Sequence, residues 1–242
     1  MKKNTILTIV ILNILTSSGL YGIGPVGTEL NILNLNQQDT LRETQILYNG
    51  RIWRNLYYMM KGDQFLFSNE LLPASVTING QTFENISIKY DIYNDEILTP
   101  PTKGTLLQLN KEMVDSFSII SPSNFQYKTY HFTKVQEDSL KGFKGYVNVL
   151  VTGKAGLYVK YKKEIAILAV DNKYDLFYES HKIYFVKDSV VYLVAGKRDF
   201  LHLMDDYKMQ IRSYIKKNRL KISKMSPESF VPVVRFYNSL RQ

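Results

Sequence analysis

The sequence predicts a mainly β chain of the α+β class: an antiparallel meander forming a sandwich or a partly open barrel, followed by C-terminal helices. Three observations carry this expectation. From Ile46 onward, segments rich in Tyr, Phe, Ile and Val recur about every 8–15 residues, separated by turn residues. Asn79-Gly80 stands between two runs whose apolar residues alternate, and that dipeptide supplies the two positive-φ positions of a tight hairpin turn. After Ala195-Gly196 the alternation stops and apolar residues recur three and four apart, the spacing of one helix face.

Taken in order, residues 1–22 have the layout of an export signal. Lys2 and Lys3 precede an apolar run from Ile6 to Leu15, broken only by Thr8 and Asn13, and Thr16-Ser17-Ser18-Gly19 and Tyr21-Gly22 supply small residues for cleavage. A helix crossing a membrane needs about 20 apolar residues, so the run is expected to be removed between Gly19 and Ile23 rather than to anchor the chain. Residues 23–45 read as a loose arm, broken by Gly24-Pro25 and Gly27.

Residues 46–195 form the expected β domain. Its clearest unit is Ser75–Ile78, the Asn79-Gly80 turn and Gln81–Tyr90. Val76 and Ile78, then Phe83, Ile86, Ile88 and Tyr90, put one face on a core. The step from Phe83 to Ile86 breaks the alternation and predicts a bulge at Glu84-Asn85. Further strands are expected at 51–59, 105–109, 116–120, 125–132, 146–151, 157–162, 176–186 and 190–194. Pro100-Pro101, Pro122 and Gly153 are expected between strands, and Lys187-Asp188-Ser189 as a tight turn.

Residues 196–242 are expected to be helical and packed on the β domain. A short helix is predicted from Arg198 to Met204. A second, capped by Asp205 or Asp206, runs to about Arg219 with Ile211, Tyr214 and Ile215 inward. Ser226-Pro227-Glu228 starts a third, with Phe230, Val233, Val234, Tyr237 and Leu240 on its inner face.

Composition narrows the chemistry. There are no cysteines, which excludes disulfides, thiolate metal sites, cysteine nucleophiles and an N-terminal lipid-bearing cysteine. The 18 tyrosines against one Trp suit strands, whose half-buried surface takes a ring with a wet hydroxyl. His131, His181 and His202 have no second ligand at metal spacing, and the nucleophile-elbow, phosphate-loop and dinucleotide glycine patterns are missing. Asp91, Asp95 and Glu96 close the hairpin strand. They could serve as acid and base, or gather calcium with Asn94, but the ligand order is not that of a calcium loop; a turn held by Asp91 is the expectation. No catalytic residue, cofactor or metal is expected.

The net charge is +9, and +7 without Lys2 and Lys3. Residues 200–242 hold nine cations and three anions, nearly the whole excess. Within them Lys216, Lys217, Arg219, Lys221 and Lys224 form a basic run that suits a polyanion, or the solvated end of a helix. Outside the cytoplasm that polyanion would be anionic lipid or polysaccharide and not nucleic acid. No other stretch approaches membrane-span length.

Several blocks together resemble uncharacterised exported β-rich proteins of Bacteroidetes-type bacteria. These are Tyr48-Asn49-Gly50, Ser75–Tyr90 continuing to Asp91-Ile92-Tyr93-Asn94-Asp95-Glu96, Val191-Tyr192-Leu193-Val194, Ile215-Lys216-Lys217-Asn218-Arg219-Leu220-Lys221 and Phe236-Tyr237-Asn238. The resemblance implies an envelope protein without assigned activity. Because the chain ends in an amphipathic helix rather than a sorting domain, it also implies retention in the periplasm or at the inner face of the outer membrane. It further implies O-glycosylation at Asp, then Ser or Thr, then an aliphatic residue, which fits Thr40, Ser139 and Ser189. The function expected is a non-enzymatic envelope module, binding or structural, whose partner is anionic lipid, polysaccharide or another envelope protein. The alternative is a periplasmic carrier holding a lipid or other apolar ligand in a curled sheet.

Overall fold

The computed structural model describes residues 45–101, 104–123, 126–135, 142–167 and 174–241. The expected export signal, nearly all of the expected arm, Thr40 and Ser139 lie outside the described residues. Among the described residues eleven strands form one antiparallel sheet that does not close. They are β1 (Gly50–Ile52), β2 (Leu72–Ile78), β3 (Gln81–Asp91), β4 (Glu96–Thr99), β5 (Leu107–Leu109) and β6 (Val114–Ser123), then β7 (Gln126–Val135), β8 (Gly145–Val151), β9 (Ala155–Ala166), β10 (Leu176–Lys187) and β11 (Val190–Val194). In space the order is β1-β5-β4-β3-β2-β6-β7-β8-β9-β10-β11. The chain thus builds two meanders, β2 to β5 and β6 to β11, joined where β2 pairs with β6. The mainly β class with C-terminal helices is as the sequence predicts.

The Asn79-Gly80 hairpin is present in the expected register. Ile78 faces Gln81, and Asn79 and Gly80 sit at φ 48° and 80°. The Gly80 amide also donates to Asp115 Oδ2 at 2.7 Å. Ala74 faces Ile86 while Val76 faces Phe83, so Glu84 and Asn85 both lie opposite Ser75. This is the bulge that the broken alternation signals, with Asn85 at φ 56°. Asp188 and Ser189 form a second two-residue turn at φ 52° and 62°.

The sheet curls on itself. β3 and β8 are separated by β2, β6 and β7 in the sheet, yet the Tyr90 and Tyr146 rings are 6.0 Å apart, and the Lys163 amide of β9 donates to the Ile92 carbonyl just past β3. Aromatic rings fill the curl. Phe117 and Phe132, directly paired across β6 and β7, stack at 4.7 Å, and Tyr90 sets its edge against them at 5.0 and 5.3 Å. Fully burying a side chain of this kind contributes about 1.5–3 kcal/mol, so these rings are a large part of what holds the curl.

The helices cover a second core that β9 links to the first. Ala155, Leu157, Val159 and Tyr161 share one face of β9. The last two lie in the curl, and the first two meet the helical layer. That layer is α1 (Lys197–His202), α2 (Lys208–Lys217) and α3 (Val231–Leu240), with 3-10 turns at Asp205–Tyr207 and Pro227–Phe230. Phe200, Met204, Ile211, Phe230, Val233, Val234 and Tyr237 are buried against Val151, Ile183, Phe185 and Val194. Asn238 ties α3 to the sheet: its side chain accepts from the Ala155 amide and donates to the Ala155 carbonyl, both at 2.8 Å.

Four expectations need correction. Only Gly50–Ile52 of the strand expected at 51–59 is β. The residues after it turn away, with the Asn55 side chain accepting from the Tyr57 amide, and run into a strap. There Lys61 hydrogen-bonds the start of β10, and Gln64 and Leu66 bond the end of β3. Strand β4 lies in no expected element. Pro122 lies inside β6, exposed near its end, where a missing amide disturbs the ladder least. Neither Asp205, Asp206 nor Ser226 caps a helix with its side chain. Asp205 instead meets His202 and Lys208, and Asp206 accepts from Tyr237 and Lys187.

A Cβ at Gly80 would meet no atom within 4 Å, so a substitution there reports backbone strain alone. Gly80→Val is expected to cost about 1–2 kcal/mol and lower Tm by roughly 3–6 °C. An unchanged thermal melt would contradict the turn.

Candidate functional site

The basic run emerges where α2 stops. The Leu220 amide donates to the Ile215 carbonyl and the Arg219 amide to the Lys216 carbonyl, and Arg219 sits at φ 52°. This pairing ends a helix with one left-handed residue, usually glycine. Leu220 and Ile222 then turn inward onto the helical core. Lys216, Lys217, Arg219, Lys221 and Lys224 all point outward and are exposed. Alternation in the linker thus sorts apolar from cationic side chains. The Lys224 carbonyl lies 2.7 Å from His181 Nε2, which seats the linker on β10, and Met225 beside it is 77% exposed.

Among the described residues none of these five cations has an ion-pair partner, whereas Lys111, Lys128, Lys134, Lys160, Lys162, Lys163, Lys187, Lys208, Arg51 and Arg241 all do. Lys216 and Lys217 sit at the negative end of the α2 dipole. That explains their place on the helix, but not the cations that follow it.

The acidic turn after β3 divides into two parts. Asp91 is wholly buried. Its Oδ1 accepts from the Tyr93 and Asn94 amides at 3.0 and 2.9 Å, and its Oδ2 from the Asn94 side chain at 2.8 Å. Burial pushes its carboxyl above the ordinary range against those hydrogen bonds. This is the turn the sequence suggests.

Asp95, at φ 61°, does something the sequence does not announce. Its Oδ1 accepts from Lys160 Nζ and from the Tyr90 hydroxyl, each at 2.6 Å, and its Oδ2 from Lys111 Nζ at 2.8 Å. Burial alone would raise the Asp95 carboxyl, but the Lys160 charge and the three hydrogen bonds outweigh it and hold the group below its ordinary value. Burial and the Asp95 charge push the Tyr90 hydroxyl well up, which keeps it a donor. Lys160 also donates to the Tyr146 carbonyl at 3.0 Å. The approach needs Gly145, because a Cβ there would stand 1.9 Å from Asp95 Oδ2. Glu96 is raised by burial and by Asp91, with Arg51 3.7 Å away opposing.

With three donors on its carboxylate, Asp95 acts as a tie between the β3–β4 turn, β9 and the residues before β6. Its partners lie 5, 16 and 65 residues away in sequence, so no local spacing reveals them.

Among the described residues no group of three His, Asp or Glu is placed to hold a metal ion. His131 Nδ1 meets Ser118 across β6 and β7 at 2.9 Å, and His202 Nδ1 meets Asp205 at 3.1 Å. Ser189 is exposed on the β10–β11 turn, where the neighbouring Asp188 accepts from Arg241 at 2.7 Å. Comparison with protein-family models, curated proteins and solved structures finds no match to this chain.

The Asp95 tie has a pH signature. A carboxyl held below its unfolded pKa of about 3.9 stabilises the fold fully above that value, and the contribution is lost as pH falls through the folded value. Asp91 works the other way: its raised carboxyl adds stability as pH falls, in parent and variant alike. Asp95→Asn is therefore expected to lower Tm at neutral pH, since it leaves Lys160 facing a neutral group. It should also flatten the further fall in Tm between about pH 5 and pH 3. Parallel Tm-against-pH curves for parent and variant would contradict the tie.

Proposed function

We propose that this chain is a non-enzymatic module of the cell envelope that docks on an anionic lipid surface through its C-terminal helical layer. One observation carries the reading. Five cations lie within residues 216–224, all exposed and without an ion-pair partner among the described residues, on a linker whose apolar side chains anchor it to the core. Each cation near an anionic membrane contributes about 1 kcal/mol. Exposed Met225, next to Lys224, favours lipid over polysaccharide because it adds an apolar contact to the charged ones.

Two further points support the reading. The interior of the curl is filled by its own aromatic rings, which favours a docking module over a carrier that would hold an apolar ligand there. Among the described residues no helix is long and apolar enough to cross a membrane, so a surface contact is the form of membrane association the helices offer. Export to the periplasm or the inner face of the outer membrane rests on the signal expected at residues 1–22, together with the resemblance to exported proteins.

Sedimentation with vesicles tests the proposal. The protein should bind phosphatidylglycerol-containing vesicles and not pure phosphatidylcholine, and binding should weaken as salt shortens the reach of each charge. Changing Lys216, Lys217, Arg219, Lys221 and Lys224 together to Gln should lower the partition coefficient at least about a hundredfold, with helicity kept because Gln is nearly as good a helix former as Lys. Equal binding by the five-fold variant would overturn the proposal. So would a parent that ignores vesicles and binds acidic polysaccharide instead.

A further inference from the structure

A second cationic feature lies on the helical layer and shares no residue with the linker. Lys197 and Arg198 on α1, and Lys208 and Arg212 on α2, line a groove of about 520 Å³ together with His202, Asp205, Leu201 and Ile211. Lys208 and Arg212 are one helical turn apart and therefore on one side of α2. Asp205, the groove's carboxylate, is already engaged, with its two oxygens 3.1 Å from His202 and 3.3 Å from Lys208. Lys197, Arg198 and Arg212 are exposed and have no ion-pair partner among the described residues. Two helices thus converge three unneutralised cations on one concavity, although most lysines on the sheet are paired.

Half-buried Leu201 is the apolar side chain the groove presents, with Ile211 closed beneath it at 1% exposure and His202 exposed at its rim. A cleft lined by one sign of charge over low-dielectric walls focuses its field on a ligand inside it. Arginine offers a planar fork of donors that matches phosphate geometry, with two parallel bonds to one group. A volume of this size lies within the range of small-molecule sites, about 300–1,000 Å³, and leaves room for an organic group beside a phosphate.

We propose that the α1–α2 groove is a binding site for a phosphomonoester, with the phosphate between Arg198 and Arg212 and an apolar portion over Leu201. Lys197 supplies the third positive charge for a dianion, and Lys208 stays with Asp205. The proposal stands apart from vesicle docking, because the linker can fail as a membrane contact while the groove binds, and the reverse.

Calorimetric titration at fixed ionic strength tests it, with phenyl phosphate, inorganic phosphate and benzoate as probes. Phenyl phosphate should bind saturably and more tightly than inorganic phosphate, and benzoate should bind more weakly than phenyl phosphate. The double variant Arg198→Gln/Arg212→Gln changes two exposed side chains. It should keep the parent's Tm and weaken phenyl phosphate at least about tenfold, since each residue donates a charge-assisted hydrogen bond. The five-fold linker variant should bind phenyl phosphate as the parent does.

No saturable binding, equal binding of benzoate, or undiminished binding by the double variant would overturn the site. Vesicles carrying phosphatidic acid identify the source of the phosphate. If phenyl phosphate releases the five-fold linker variant from them, the ligand is a lipid headgroup. If that variant binds phenyl phosphate but not the vesicles, the ligand is a soluble ester. Both results support the site.

Discussion

The carboxylate of Asp95 is the contact on which the shape of this protein turns. Among the described residues eleven antiparallel strands make an open sheet, and no ladder of backbone hydrogen bonds joins its two ends. What brings β3 over to β8 and β9 is a core of stacked and edge-on rings, a few backbone hydrogen bonds through the strap and from Lys163 to Ile92, and at the margin one carboxylate gripping Lys160, Lys111 and Tyr90. Apolar burial is non-directional, whereas a charge-assisted hydrogen bond fixes both distance and direction. The rings hold the curl closed and the carboxylate sets its register. Gly145 is the price of this arrangement, since no larger residue leaves the carboxylate its place.

The helical layer depends on that register through β9. One face of this strand serves both cores, so moving its second half relative to β3 would move its first half relative to α3. Asn238 completes the connection by acting as a two-bond partner for Ala155, much as a neighbouring strand would. Because the layer is anchored on one side, its other side is free to carry charge. The linker cations and the α1–α2 groove are both consequences of cations placed where the core needs no side chain.

Much of the fold was legible in the sequence where a local rule had a single outcome. Asn79-Gly80 can hardly be anything but a hairpin turn, and the gap between Phe83 and Ile86 marked the bulge because a strand has only two faces. The shift of period after Gly196 marked the helices. Residues 53–59 misled because Trp53, Tyr57, Tyr58 and Met59 have strand-like composition, yet Tyr57 packs on Tyr93 and Phe177 in a strap while Tyr58 and Met59 face outward. The four residues of β4 are too few for any period to show. Asp205 and Asp206 have the composition of caps because short acids favour helix starts, but Asp205 is taken up by His202 and Lys208, three residues to either side, and Asp206 by Lys187 and Tyr237 from elsewhere in the fold. The linker cations were visible as a run. The groove was not, because its charges arrive from two helices, and the Asp95 tie was not, because Lys160 is 65 residues away.

A double-mutant cycle on the Asp95–Lys160 pair tests this account most directly. Unfolding free energies from chemical denaturation would be measured for the parent, Asp95→Asn, Lys160→Met and the double variant, with Lys111 present in all four. If the pair sets the curl, the double variant loses less than the sum of the single losses, by about 1–3 kcal/mol, because removing both partners leaves neither the Lys160 ammonium nor the Asp95 carboxylate buried without the other. The loss at Lys111 is common to Asp95→Asn and the double variant and cancels. Single losses that simply add would mean that the rings and the strap hold the sheet in its curl without the Asp95–Lys160 pair.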